Sequence, residues 1–141
     1  MDDEARVDVA DTVTDFTVSL WVQANHSGQS RHASAIAVND VAGDDDSFQF
    51  QTGGGNPGDW ELYHNNSYSF GTVDPTVWQH LVATFVNDTV TLYMDGVEVL
   101  NQSVPNGTVN SIELYKFGVN RAGNTHFKGV IEEVQIWEAA L

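Results

Sequence analysis

Between Trp78 and Leu100 the chain reads WQHLVATFVNDTVTLYMDGVEVL. The Asp95-Gly96 pair within it constrains the fold more than any other feature. An Asp-Gly link between two apolar segments tolerates the positive φ angles of a two-residue hairpin turn. Here it joins Leu92-Tyr93-Met94 to Val97-Glu98-Val99, and Asn87-Asp88 repeats the signal one strand earlier. The rest of the chain has the same texture. Short segments alternate or run apolar, and turn residues separate them. Candidate strands are Ala5–Val9, Phe16–Gln23, Ala35–Val38, Ser47–Thr52, Trp60–His64, Tyr68–Thr72, Trp78–Val86, Thr89–Met94, Val97–Val104, Ile112–Val119 and Gly129–Trp137. No window carries a helical period, and there is no internal repeat or linker.

Side-chain alternation suggests how these strands stack. Trp78, His80, Val82, Thr84 and Val86 share one side of their segment; Leu81, Ala83 and Phe85 share the other. Both sides are mostly apolar, so this strand is expected to be covered on both faces, with Trp78 in the core and His80 buried and hydrogen-bonded. Phe16, Val18, Leu20 and Val22 form a second inward row, with Trp21 opposite. Many short antiparallel strands buried on two sides imply packed sheets.

The length of 141 residues suits one domain, 1–141, with room for a core. Cysteine is absent, which excludes disulfides, thiolate metal sites and a cysteine nucleophile. No apolar run is long enough to span a bilayer as a helix, so membrane insertion is not expected. The acidic N-terminus, MDDEARVDVADTVTDF, lacks a signal-peptide pattern. An excised domain of a secreted protein and a complete virion protein both fit that beginning.

Twenty acidic residues against five basic ones give a net charge of −15. Phosphate repulsion argues against nucleic acid as a partner. Asp outnumbers Glu by 13 to 7, and Lys occurs only at Lys116 and Lys128. An acidic, lysine-poor surface over a core of ordinary apolar content is the pattern of proteins from salt-loving archaea. In molar salt the Debye length is about 3 Å, and such a surface no longer repels itself. Asn-x-Ser/Thr sequons stand at Asn25, Asn65, Asn87, Asn101 and Asn106, which hints at a glycosylated, surface-exposed protein.

Three blocks carry a family resemblance: DFTVSLWVQ, then WQHLVATFVNDTVTLYMDGVEV, then FGVNRAGNTHFKGVIEEVQIWEAAL. Their order and spacing resemble a laminin-G-like domain of the concanavalin A-like lectin/glucanase superfamily across nearly the whole chain. The resemblance implies an all-β fold, a two-sheet antiparallel jelly-roll sandwich. It also implies a non-catalytic binder of glycans or proteins with ligand loops along the rim of one sheet, often assisted by Ca²⁺. A lectin-like role in adhesion or attachment at an extracellular, cell-surface or virion location follows, possible homo-oligomers included. The alternative is a structural virion surface protein that packs rather than binds.

Some relatives in that superfamily hydrolyse glycosides, which requires two carboxyl groups about 5–9 Å apart on one face. Glu132 and Glu133 are adjacent, so a regular strand would point them to opposite faces. Glu61 and Glu98 have no acidic partner on their candidate strands. The chain is therefore expected not to be an enzyme. A sugar platform needs exposed rings with amide and carboxylate groups beside them. The segment GGGNPGDWELYHNNSYSF offers Tyr63, His64, Asn65 and Tyr68 as ligand-binding residues, with Trp60 assigned to the core. Asn120 and Asn124 of VNRAGNTH lie on a second rim loop. His26 and His32 fall in a polar loop with no third ligand in view. Calcium takes six to eight oxygens, and NDVAGDDDS supplies Asp40, Asp44, Asp45 and Asp46. A second Ca²⁺ site, implied only by the resemblance, would use Glu132 and the N-terminal segment.

Overall fold

The computed structural model describes residues 5–11, 15–25, 28–39, 48–64, 66–104 and 112–141. They form eleven strands: β1 (Ala5–Asp11), β2 (Phe16–Ala24), β3 (Ser34–Asn39), β4 (Phe48–Thr52), β5 (Asp59–His64), β6 (Asn66–Thr72), β7 (Gln79–Val86), β8 (Thr89–Met94), β9 (Val97–Ser103), β10 (Ile112–Phe117) and β11 (Gly129–Trp137). The two hairpin signals act as expected. Asn87 and Asp88 have φ of 46° and 62°, and Asp95 and Gly96 have φ of 53° and 80°. Positive φ at both central positions matches the right-handed twist of the flanking strands.

The strands form two antiparallel sheets, ordered β1-β10-β3-β4-β5-β6 and β11-β2-β7-β8-β9. Strands from both chain ends meet in each sheet, β1 against β10 and β2 against β11. This is the two-sheet jelly-roll sandwich. The core fills the space between the sheets with Phe16, Val18, Leu20 and Val22 of β2, Phe48 and Phe50 of β4, Trp60 and Leu62 of β5, and Leu81, Ala83 and Phe85 of β7. Phe16 stacks on Phe85 with ring centroids 4.5 Å apart. The buried Trp60 indole donates to Gln79 Oε1 at 2.9 Å, so its one polar atom is satisfied.

The outer face of the five-stranded sheet departs from expectation. Trp78 precedes β7 and is 36% exposed, so it is not a core residue. His80 is half-buried: its Nε2 lies 2.7 Å from Ser19 Oγ, and its ring stacks on Trp21 at 4.7 Å. The C-terminal segment covers only part of this face. The Thr17 hydroxyl donates to Ala139 O at 3.0 Å and accepts from Leu141 N at 3.2 Å.

The expected opposition of Glu132 and Glu133 is also corrected. A β-bulge lies between Glu132 and Gln135, and Glu133 adopts φ of 50°. The extra residue breaks the alternation. Ile131 and Val134 pack on the core, while both glutamates line one depression of about 360 Å³ with Trp21 and Trp78.

Candidate functional site

The sequence FQFQT of β4 sets up the site. Phe48 and Phe50 point into the sandwich, so Gln49 and Gln51 stand on the outer face of the six-stranded sheet. On β5, Trp60, Leu62 and His64 point inward, and Asp59, Glu61 and Tyr63 point outward. Outward-facing Gln49, Gln51 and Glu61 are nonetheless only 3%, 1% and 7% exposed. Two loops cover them: Ser30 to Ala33 from one side, and Asn120 to Thr125 from the other.

Hydrogen bonds join these polar groups in a fixed direction. Gln49 Oε1 accepts from Arg121 N at 2.7 Å and from Ser34 Oγ at 3.1 Å. Gln49 Nε2 donates to Gln51 Oε1 at 3.2 Å. Gln51 Nε2 donates to Glu61 Oε2 at 3.2 Å and faces His32 Nδ1 at 3.1 Å. A carboxylate only accepts, and an amide nitrogen only donates. Gln51 must therefore give both protons away, and His32 Nδ1 is an acceptor. The glycine-rich loop contributes close approach: Gly54 N donates to Glu61 Oε2 at 3.2 Å, and a Cβ on Gly54 would lie 2.5 Å from His32 Cε1.

Above this floor opens a pocket of about 320 Å³, whose wall includes His32, Gln51, Tyr63, Ser67, Arg121 and Asn124. The Arg121 guanidinium lies over the Tyr63 ring, 4.5 Å from its centroid, and its Nη2 donates to the Tyr63 hydroxyl at 3.3 Å. Lys116 Nζ donates to Arg121 O at 2.6 Å and steadies the loop from below. Asn120 Oδ1 accepts from the backbone of Asn124 at 2.9 Å and of Thr125 at 3.1 Å, which closes the loop on itself. Asn120 Nδ2 donates to Asn124 Oδ1 at 2.9 Å. Both asparagine oxygens are thus engaged within the loop.

The structure brings Tyr63, Asn120 and Asn124 together at this pocket. Two other expected ligand residues point elsewhere. His64 is fully buried beside Phe85, and Tyr68, opposite Leu62, packs against the core. Both lie on the inward side of their strands, as the alternation from Trp60 and Phe70 requires. Asn65, His26, Asp40, Asp44, Asp45 and Asp46 lie outside the described residues. Glu132 is at the opposite sheet from this pocket, and of the N-terminal segment that would join it at a calcium site residues 1–4 and 12–14 lie outside the described residues. Among the described residues, no three His, Asp or Glu side chains are grouped to hold a metal ion. Sequence reasoning missed Gln49, Gln51 and Arg121 as site residues. The Phe-Gln-Phe-Gln alternation was the available signal for the two glutamines.

Glu61 also has the same-face acidic neighbour that the shorter candidate strand excluded. β5 begins at Asp59, two residues earlier in the alternation. Each carboxylate already has a partner: Asp59 accepts from Asn56 Nδ2 at 2.8 Å, and Glu61 from Gln51 and Gly54. Neither lines the pocket.

A two-sheet sandwich with a polar pocket on one outer face defines the concanavalin A-like class. The chain belongs to the laminin-G family Laminin_G_3 of the concanavalin A-like lectin/glucanases superfamily, whose model matches residues 2–141. No curated protein matches it. Among solved structures it is similar to domain 4 of an extracellular arabinanase from Geobacillus stearothermophilus in complex with arabinotriose, at 21% identity and a TM-score of 0.69. That match covers 93% of this chain and 64% of the other, so this chain spans less than two thirds of that relative's length. It is also similar to a heptameric SAP-like pentraxin from Limulus polyphemus, at 14% identity and a TM-score of 0.76, covering 98% of this chain and 70% of that one. A third likeness is to the CBM40 of a Ruminococcus gnavus IT-sialidase bound to α2,3-sialyllactose, at 11% identity and a TM-score of 0.71, covering 99% and 93%. At these identities the likeness is one of fold.

Proposed function

We propose that this domain is a non-catalytic glycan-recognition module whose binding site is the pocket on the outer face of the six-stranded sheet. The carrying observation is the buried Gln49–Gln51–Glu61 chain beneath an open polar pocket. Burying three polar side chains at a sheet surface is costly unless all are bonded. Here they are bonded in one direction and hold His32 and Arg121 in place. Such a preorganised set of donors and acceptors suits a polyhydroxylated ligand. Fold relatives that carry arabinotriose and sialyllactose support the same reading. The non-catalytic reading is supported by the partners of Asp59 and Glu61 and by the lack of a carboxylate pair among the described residues of this pocket; the Glu132–Glu133 pair lies on the opposite sheet, away from it.

The setting we propose is an extracellular or cell surface in a salt-rich environment, in keeping with the charge of −15. The virion-surface alternative draws on one observation. The other sheet's outer face exposes Trp21 and Val130, a surface suited to packing against another protein. A glycan array at molar KCl tests the leading reading. Saturable binding that is weakened by Tyr63→Ala is expected, with no new reducing ends. Absence of binding to every glycan, with a stable oligomer in solution, would favour the packing role; glycan turnover lost on Glu61→Gln would refute the non-catalytic assignment.

A further inference from the structure

The edge of a sheet is open to strand addition unless charges, a bulge or a cover block it. In the five-stranded sheet the edges are β11 and β9. β11 carries Glu132, Glu133 and the bulge beside them. β9 is protected over its first half only. Glu98 stands there, and the register against β8 shifts between Glu98 and Leu100, with Val99 as the extra residue. From Leu100 to Ser103 the pairing is regular, Leu100 opposite Leu92 and Ser103 opposite Thr89, and the segment LNQS has no charge. β6 approaches β9 from the other sheet without pairing with it. In molar salt the charge of −15 no longer keeps copies apart, so this open half depends on a steric cover.

The same half-strand holds a sequon, Asn101-Gln102-Ser103, and all three residues are exposed. Five of the eleven asparagines begin sequons, and one other sequon lies wholly within the described residues, Asn87-Asp88-Thr89. Asn87 sits in the tight β7–β8 turn at φ of 46°, with its amide donating to Asp15 Oδ1 at 3.3 Å. Such a turn resists being drawn out as an extended acceptor, whereas an edge strand is already extended. Asn101 faces outward: Val90 and Leu92 of β8 are buried, and Asn101 Nδ2 donates to Thr91 Oγ1 between them at 3.0 Å. From this juxtaposition we infer that Asn101 is an N-glycosylation site whose glycan covers the open half of β9. The co-substrate is an oligosaccharide linked to a lipid phosphate. Nδ2 forms a C–N bond to the anomeric carbon, and the bond from that carbon to the phosphate oxygen breaks. The lipid phosphate leaves with the electron pair, and Nδ2 yields one of its two protons to a base of the transferase. The remaining N–H keeps the bond to Thr91. Modification requires the extracellular setting proposed above but no ligand in the pocket. That pocket opens on the outer face of the other sheet, so a glycan at Asn101 leaves it free.

The test is to export the whole chain from a host that modifies Asn-x-Ser/Thr sequons and to read the masses of its peptides. The peptide holding Asn101 should carry sugar. Ser103→Ala should abolish that mass shift, and Ser103→Thr should preserve it. Exported wild type with an unmodified Asn101 overturns the assignment, whatever the other four sequons carry. The covering role is read separately, by light scattering in molar KCl. Exported Asn101→Gln should self-associate at a several-fold lower protein concentration than the modified wild type. Wild type made in a host without the transferase should do the same, and it needs no substitution, so a poorly folding variant leaves the question decidable. Equal self-association of the modified and unmodified wild-type chains overturns the covering role. Binding to a glycan array, measured on the same two wild-type preparations, should be unchanged between them; loss of binding on modification would place the sugar at the pocket and overturn the assignment to the β9 edge.

Discussion

Gln51 and Glu61 face each other across β4 and β5, and the Gln51 amide donates to the Glu61 carboxylate at 3.2 Å. With both side chains at least nine-tenths buried, the pair shapes the pocket floor from beneath. Replacing Gln51 by Leu keeps much of the volume but removes a donor from a buried carboxylate and an acceptor from Gln49. An unsatisfied buried polar group costs about 1–3 kcal/mol, more when charged. Denaturant unfolding of Gln51→Leu should show a loss of at least that size with an unchanged m-value. The double variant Gln51→Leu, Glu61→Leu should recover part of it, because the orphaned charge is gone. No recovery would mean that the two groups are energetically independent.

Much of the fold was legible because alternation and turn chemistry are local. Asp95-Gly96 announces its hairpin without reference to any other part of the chain. Eleven candidate strands correspond to eleven observed ones, with ends differing by up to two residues. One such difference mattered: starting β5 at Asp59 instead of Trp60 gives Glu61 an acidic neighbour on its own face. The site was less legible because its contents depend on contacts distant in sequence. Arg121 meets Tyr63 across 58 positions, and Gln49 across 72. His64 and Tyr68 show a different failure. Strand alternation already placed them with Trp60 and Phe70, yet their chemistry suggested a ligand role. Glu132 and Glu133 were separated by assuming a regular strand, and a bulge cannot be read from two adjacent glutamates.

Asp74 offers a pH-dependent signature away from the pocket. Its carboxyl is held below the ordinary value of 3.8, first by the Thr76 hydroxyl and then by the Thr76 backbone amide. The two bonds measure 2.6 and 2.8 Å. Because the folded-state value is depressed, any stabilisation is fully present above 3.8 and fades as pH falls through the lower folded value. Thr76→Val removes the hydroxyl and leaves the amide. An NMR titration of the Asp74 carboxyl should then move upward toward 3.8, without passing it. An unchanged titration would show that the hydroxyl is not the main cause.

The charge of −15 makes stability a function of salt. Self-repulsion of like charges opposes the compact state and weakens as the screening length falls from about 10 Å at 0.1 M to about 3 Å at 1 M. The melting temperature should climb steadily from dilute buffer into molar KCl. KCl and NaCl should act alike if screening is the cause. A flat response would count against a salt-rich native setting.

Calcium remains a proposal for the loop holding Asp40, Asp44, Asp45 and Asp46. Four carboxylates within seven residues repel one another, and a divalent ion coordinated by several of them would offset that repulsion. Binding to the folded state alone raises stability by RT ln(1 + [L]/Kd), so the melting temperature should rise continuously with free Ca²⁺. Replacing Asp44, Asp45 and Asp46 together by Asn keeps the side-chain shape and removes three charges. If Ca²⁺ binds here and organises the rim, that variant should lose both the thermal shift and part of the glycan affinity. If these residues form only a solvated acidic run, the variant should bind glycan as before. It should also be somewhat more stable at low salt, since repulsion has been relieved. Calorimetric titration of Ca²⁺ in molar KCl separates the two outcomes. Heats that are equal in the wild type and the triple variant would exclude calcium from this loop.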